Sequence, residues 1–292
     1  MSETGPDPGR LLALAESAAR EAAGLLTARR SAGRPGVLAT KSSPTDVVTE
    51  ADRAAETMII ERILAERPGD AILGEEGGER GPGALGGPGA PGGPGGRGSG
   101  PAVRWIVDPL DGTVNYLYGL PDFSVSIAAE VGGTIVAGVV HAPQRGEVFT
   151  AVTGGGAWLR AVGRPAVRLR CNTGVRLARA LVATGFGYEA PRRRVQGEVV
   201  AALLPLVRDI RRAGSAAVDL CSVAAGRVDA YYERGVNYWD IAAGGLIARE
   251  AGAVMGGLSG RPAGPELTIV AGPGLFGELH EQLAKLSPER DG

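Results

Sequence analysis

The sequence predicts a mixed fold, an α+β first half followed by an α/β second half, and three observations carry that expectation. Two amino-terminal segments repeat apolar residues at helical spacing. Short strand-like runs joined by turn signals, among them Gly132-Gly133, follow across the middle. From Leu181 onward, strand and helix patterns alternate, as in a layered α/β arrangement. We expect the division at residues 1–150 and 151–292.

Taken in order, residues 11–30 are Ala-rich and place Leu11, Leu14, Ala18 and Leu25 at helical spacing, an amphipathic helix. Residues 37–40 suit a short strand. Thr49-Glu50-Ala51-Asp52 has the spacing of a capping box before a second helix through Met58, Ile59, Ile63 and Leu64, which Pro68-Gly69 ends. Residues 70–73 read as a strand running into Gly74-Glu75-Glu76. Residues 77–101 are mostly Gly and Pro, too poor in apolar surface to offset the entropy of ordering, so a flexible loop is expected there. Val103 and residues 105–107 form a buried strand, and residues 123–131, 134–141, 147–152 and 157–161 an antiparallel meander, so the first half reads as two helices against an antiparallel sheet. The second half offers strands at 181–184, 228–233 and 267–271. Its helices are expected at 195–207 with Pro205 near the end, at 215–225 with Ser215 as N-cap, at 241–251 with Asp240 as N-cap and Gly252 as stop, and at 275–286.

Bulk properties narrow the function. The chain has 292 residues, 44% of them hydrophobic, and a net charge of −1, so no global field draws it to nucleic acid or an anionic membrane. No apolar run approaches the ~18 residues of a membrane span, and the polar start lacks a signal pattern, which points to the cytoplasm. Cys171 and Cys221 suit buried thiols better than a disulfide framework. With His141 and His280 the only histidines, a metal here would be held by oxygen, which favours Mg²⁺ or Mn²⁺.

The chemistry concentrates in residues 105–116. A buried strand runs into Asp108 and Asp111, with Pro109 restricting the backbone and Gly112 permitting a tight turn before Thr113. Further acids stand where strands meet turns or helices: Asp52, Glu75 and Asp240. Each alone has a plainer reading, since Asp52 and Asp240 suit helix capping and Glu75 a loop. Together they suit phosphate ester hydrolysis, which needs cations to neutralise phosphoryl oxygens and backbone amides to receive the phosphate.

These blocks resemble the inositol monophosphatase family of Mg²⁺-dependent, Li⁺-sensitive sugar phosphatases. The matching segments are residues 41–52, 74–76, 105–115 and 239–244, with residues 214–220 and 231–233 matching the substrate-facing part. The resemblance implies an αβαβα layered sandwich, a homodimer, and a small phosphate ester as substrate, inositol-1-phosphate first. Histidinol phosphate, fructose 1,6-bisphosphate and adenosine 3′,5′-bisphosphate are the alternatives. It implies two to three Mg²⁺ ions held by Glu75, Asp108, the Leu110 carbonyl, Asp111 and Asp240. Thr113, bonded to Asp52, would orient a metal-activated water, with Glu75 beside the weaker third ion. Gly112 and Thr113 amides would bind phosphate, while Asp111, Ser215, Ala216, Glu233 and Asp240 would face substrate and Lys41 a mobile flap. The tract at 77–101 departs from the shorter loop usual in the family. A competing reading, a partner of transcription machinery, rests on Arg192 to Arg194, Arg208, Arg211 and Arg212 as a basic patch; a solvated helix face explains those residues more simply.

Overall fold

Alternation of helix-forming and strand-forming segments resolves, in a computed structural model that describes residues 5–33, 37–40, 47–81 and 103–291, into five stacked layers. The outer layer is a helix pair, α1 (Pro8–Ala32) and α2 (Glu50–Glu66). Asp7 opens α1 by accepting from the Gly9 amide at 2.9 Å, so the helix begins a turn before its apolar repeat. In α2 the capping box forms as its spacing predicts, with Thr49 and Asp52 bonding each other's backbone amides. A two-stranded ribbon, β1 (Val37–Thr40) and β2 (Val47–Thr49), precedes it.

The helix pair covers an eight-stranded sheet. Its members are β3 (Ala71–Gly74), β4 (Gly78–Arg80), β5 (Val103–Asp111), β6 (Ser124–Val131), β7 (Thr134–Ala142), β8 (Glu147–Val152), β9 (Gly156–Ala161) and β10 (Val167–Arg168), in the order β10-β9-β8-β7-β6-β5-β3-β4. The meander from β6 to β9 is antiparallel as expected, but β3 pairs parallel with β5, so the first sheet is mixed. The expected loop at 77–101 is also revised at its start, where β4 turns back against β3; residues 82–102 lie outside the described residues. β10 has no sequence signal, being two residues paired on an edge.

On the other face of this sheet lie α5 (Ala216–Ala224) and α6 (Tyr238–Glu250). Their small residues permit close approach: a Cβ on Gly138 of β7 would meet Ala243 of α6 at 3.0 Å. Beyond them is a second, five-stranded sheet of β11 (Leu181–Thr184), β12 (Asp209–Arg211), β13 (Ala230–Glu233), β14 (Val254–Gly256) and β15 (Thr268–Ala271), ordered β12-β11-β13-β15-β14. The last layer is α4 (Ala190–Leu203) and α7 (Leu275–Leu286). α4 starts before the expected 195 because Pro191 suits a first helical turn, and it gives way to a 3-10 turn at Leu204–Leu206 where Pro205 removes a donor. A short helix, α3 (Thr113–Tyr118), links β5 to β6.

Apolar clusters fill each gap between layers. Leu14, Leu26, Ile59 and Ile63 meet Trp105, Val107 and Ile127 under the first pair. Ile106, Val140 and Phe149 meet Ala243 and Ile247 in the middle. Leu203, Leu279 and Leu283 meet Val182 and Ile269 at the far side. Both cysteines are free and buried. Among the described residues no helix is long and apolar enough to cross a membrane.

Candidate active site

Four layers deliver their acids to one place. The strand expected to end at Val107 runs on through Asp111, with a bulge between Asp108 and Asp111: Asp108 pairs with Ser126 but Asp111 with Ser124. Residues three apart on a regular strand face opposite ways. The extra residue at the bulge corrects the phase, and Pro109, lacking an N–H, fits where no ladder bond is needed. Both carboxylates therefore face the same side.

Asp108 is 1% exposed and accepts from the Leu110 amide at 3.0 Å. Burial, and then the negative charges of Glu75, Asp111 and Asp240, holds its carboxyl well above the usual range. Glu75 arrives on the turn after β3, where its amide donates to the Val107 carbonyl at 3.1 Å, and its side chain shares a hydrogen bond with Asp108. Asp111 is raised by burial, against the opposing hydrogen bonds of Ser215 and of the Ala217 and Ala216 amides. The Ser215 hydroxyl donates to Asp111 Oδ2 at 2.5 Å and the Ala217 amide to the same oxygen at 2.7 Å, tying β5 to the start of α5.

Asp240 lies in the first turn of α6. It is the third helical residue rather than the N-cap: Asn237 caps, and Asp240 Oδ2 accepts the Asn237 amide at 2.6 Å. That bond leaves its carboxylate facing Glu75 and Asp111, whose charges, after burial, hold it well above the usual range.

Beside this cluster, the Thr113 hydroxyl lies 3.0 Å from Asp52 Oδ1 and 3.1 Å from the Leu110 carbonyl. Asp52 Oδ2 in turn accepts from the Thr49 amide at 2.8 Å. Its capping role and its contact with Thr113 thus use different oxygens. Burial raises the Asp52 carboxyl while Thr49 and Thr113 pull against it. Gly112 holds φ 90°, and a Cβ there would meet the Asp122 carbonyl at 2.8 Å, so only glycine makes this turn.

On the opposite wall, Glu233 ends β13. Burial pushes its carboxyl up to about 7, opposed by the Tyr231 hydroxyl, which donates to Oε2 at 2.8 Å. The structure brings together every described residue of the expected site. Lys41 lies outside the described residues.

Sequence reasoning missed several neighbours. Glu56 follows Asp52 by one helical turn, the same face, and its carboxylate accepts the Glu76 amide at 2.8 Å beneath the Glu75 turn. A Cβ on Gly74 or Gly77 would collide with it, at 2.8 Å and 2.6 Å. Tyr231 precedes Glu233 by two on a strand, the spacing that shares a face. Asp219, 3% exposed on α5, is raised by burial and then by Glu233 and Asp111, with Arg145 and Arg212 opposing. Arg212, read from sequence as part of a surface patch, thus turns its charge toward the acids.

The donor set is hard oxygen throughout and suits Mg²⁺ or Mn²⁺. Buried carboxylates that raise one another's pKa call for cationic compensation, and Arg212 offers it only toward one side. As they stand, among the described residues no three Asp, Glu, His or Cys side chains form a ready metal cage. The acids face one another as a cluster rather than a closed coordination sphere.

A sequence model of the inositol monophosphatase family matches residues 7–291. The chain is 45% identical over 296 aligned residues to an inositol-1-monophosphatase SuhB of Mycobacterium tuberculosis, covering 98% of both chains. It is 41% identical to the Nus factor SuhB of Haemophilus influenzae, over 84% of each. The solved structure of Mycobacterium tuberculosis SuhB superimposes with a TM-score of 0.77 at 42% identity, covering 97% of this chain and 99% of that one.

Proposed function

The chain belongs to the inositol monophosphatase family and is a phosphoric monoester hydrolase, and on that premise we propose that it hydrolyses inositol-1-phosphate with Mg²⁺ as cofactor, as a cytoplasmic homodimer. The observation that carries the reading is the meeting of Glu75, Asp108, Asp111 and Asp240 beside the Asp52–Thr113 pair. Glu75, Asp108, Asp111, Asp240 and the Leu110 carbonyl would hold the cations, two or three of them. When bound, these supply neutralisation of phosphoryl charge and a more acidic water.

The remaining work belongs to this chain's own residues. Asp52 accepts the Thr113 proton, leaving the Thr113 oxygen to orient the attacking water. Gly112 and Thr113 amides, at the start of α3, receive phosphate oxygens. Glu233, held by Tyr231, accepts substrate hydroxyls, and Ser215 and Ala216 keep Asp111 turned toward them. A second buried carboxyl, Asp219, stands next to Glu233 on a wall where negative charge is already disfavoured, which argues against a second phosphate and for a monophosphate of a neutral polyol.

A second reading, a binding partner of transcription machinery, follows from relatives named Nus factor SuhB. The arginines invoked for it are partly committed within the chain: Arg211 pairs with Asp209 at 2.5 Å, Arg208 donates to the Arg179 carbonyl at 2.8 Å, and Arg212 faces the acids. Phosphate release at fixed Mg²⁺, with and without Li⁺, decides between substrates. The panel is inositol-1-phosphate, histidinol phosphate, fructose 1,6-bisphosphate and adenosine 3′,5′-bisphosphate. Release led by inositol-1-phosphate and suppressed by Li⁺ is expected; a lead of about tenfold by another ester, a full 1.4 kcal/mol in transition-state binding, refutes the substrate assignment.

A further inference from the structure

Glu233 delivers its carboxylate into the site, yet the residue that follows it is gripped from behind the second sheet. The Arg234 guanidinium is held by the segment after α7: Nη1 donates to the Arg290 carbonyl at 2.5 Å, and Nη2 to Asp291 Oδ1 at 2.9 Å. The Arg234 carbonyl accepts from Gln196 Nε2 of α4 at 3.2 Å, while Gln196 Oε1 accepts the Gly187 amide at 3.0 Å. One residue farther on, the Gly235 amide donates to the Pro265 carbonyl at 2.8 Å.

The gripping segment is itself turned back and anchored. Ser287 caps α7 at φ 47°, a left-handed conformation unfavourable for a non-glycine residue that persists only where surroundings enforce it. Past it, Arg290 pairs with Glu198 on α4, and Glu289 pairs with Arg261 at 2.5 Å. Behind Glu233 there is a cavity of about 10 Å³ bounded by Gln196, Tyr232, Arg234 and Pro288. The Tyr232 hydroxyl is buried beside Thr184 of the neighbouring strand. The Glu233 carboxylate rests against Gly185, where a Cβ would fall 1.9 Å from Oε2, and Glu233 is the last residue of β13, one position before the gripped Arg234.

We propose that residues 288–291 form a latch on Arg234, and that Arg234 is a positioning residue that sets Glu233 against the hydroxyls of a polyol monophosphate. The proposal rests on the phosphatase reading above. Polyol recognition, not phosphate chemistry, is what the latch governs, because the Asp108 cluster is anchored on other elements.

The test compares the full chain with a variant ending at Ser287, with Arg234→Ala, with the two combined, and with Arg234→Lys. Each is assayed on inositol-1-phosphate and on p-nitrophenyl phosphate, which carries no polyol. A charge-assisted hydrogen bond lost at a positioning group predicts a KM for inositol-1-phosphate raised about tenfold in the truncated chain and in Arg234→Ala. Turnover of p-nitrophenyl phosphate stays within about twofold. The combined variant is no worse than either alone, since both break one grip, and Arg234→Lys recovers part of the loss. Equal losses on both substrates, or an unchanged KM for inositol-1-phosphate, overturn the proposal. Should the truncated chain fail to fold, Arg234→Ala with its melting temperature decides alone. A full-length enzyme that fails to release phosphate from inositol-1-phosphate removes the substrate reading itself, a result visible before any variant is made.

Discussion

Replacing Glu233 with glutamine should stabilise the metal-free protein at alkaline pH while damaging substrate recognition. The carboxyl is buried, and its pKa moves from an ordinary 4.5 to about 7 in the fold. The folded chain therefore holds this proton more tightly than the unfolded one, so the group withdraws stability as pH rises from 4.5 to about 7 and the full penalty is present above that window. At about 1.4 kcal/mol per unit the penalty at pH 8 is on the order of 3 kcal/mol. Glutamine is neutral, nearly the same size, and keeps an oxygen to accept the Tyr231 hydroxyl. At about 2.1 cal/mol/K per residue, 292 residues give an unfolding entropy near 0.6 kcal/mol/K, so the expected gain is about 5 °C. Thermal unfolding in chelator at pH 8 and at pH 5 supplies the assay. Removing this charge also relieves Asp219 and Asp240, which it holds up, so the difference between variant and parent reads the Glu233 charge together with its repulsion on those two acids. A gain near 5 °C at pH 8 that shrinks to about 1 °C at pH 5 is expected. A difference independent of pH would refute the claim that burial of the charge is what raises this carboxyl.

Three further outcomes are expected. Asp108→Asn removes the carboxylate that Glu75, Asp111 and Asp240 all face; Mg²⁺-dependent phosphate release should be lost while circular dichroism stays native-like, and parental rates in this variant would sink the ligand assignment. Thr113→Val breaks the contact with Asp52 Oδ1, and kcat should fall by about 10²–10⁴ with KM nearly unchanged; a change confined to KM would mean that the hydroxyl binds substrate rather than orienting water. Gly112→Ala forces a Cβ to 2.8 Å from the Asp122 carbonyl at φ 90°, so both melting temperature and activity should drop, and an unaltered variant would show the turn to be more pliant than drawn.

Much of this was legible from residue order alone. The capping box at Thr49–Asp52, the Gly132-Gly133 hairpin, and the acids at 75, 108, 111 and 240 each carry a local signal. Local signals are readable because turns, caps and periodicity depend on residues within a few positions of one another. The misplacements fall where distant partners decide. β10, β12 and β14 are two or three residues long and exist because a neighbouring strand offers them a ladder. The parallel pairing of β3 with β5 was likewise invisible, since no turn chemistry links them. Asp240 looked like an N-cap and proved to be the third residue of α6, because Asn237 three positions earlier competes for that role.

The sequence by itself determined which residues would be acids at element ends, where α2, α5 and α7 start, and that Gly112 must turn. Only the tertiary structure decided that those acids face one another. The bulge in β5 sets the phase of Asp108 and Asp111, the parallel pairing brings Glu75 alongside, and the packing of α6 across the first sheet carries Asp240 in from more than a hundred residues away. Gathering like charges in a buried place is unfavourable locally, so no local pattern encodes it. It is imposed by the apolar layers on either side, whose burial outweighs the repulsion among the acids that they enclose.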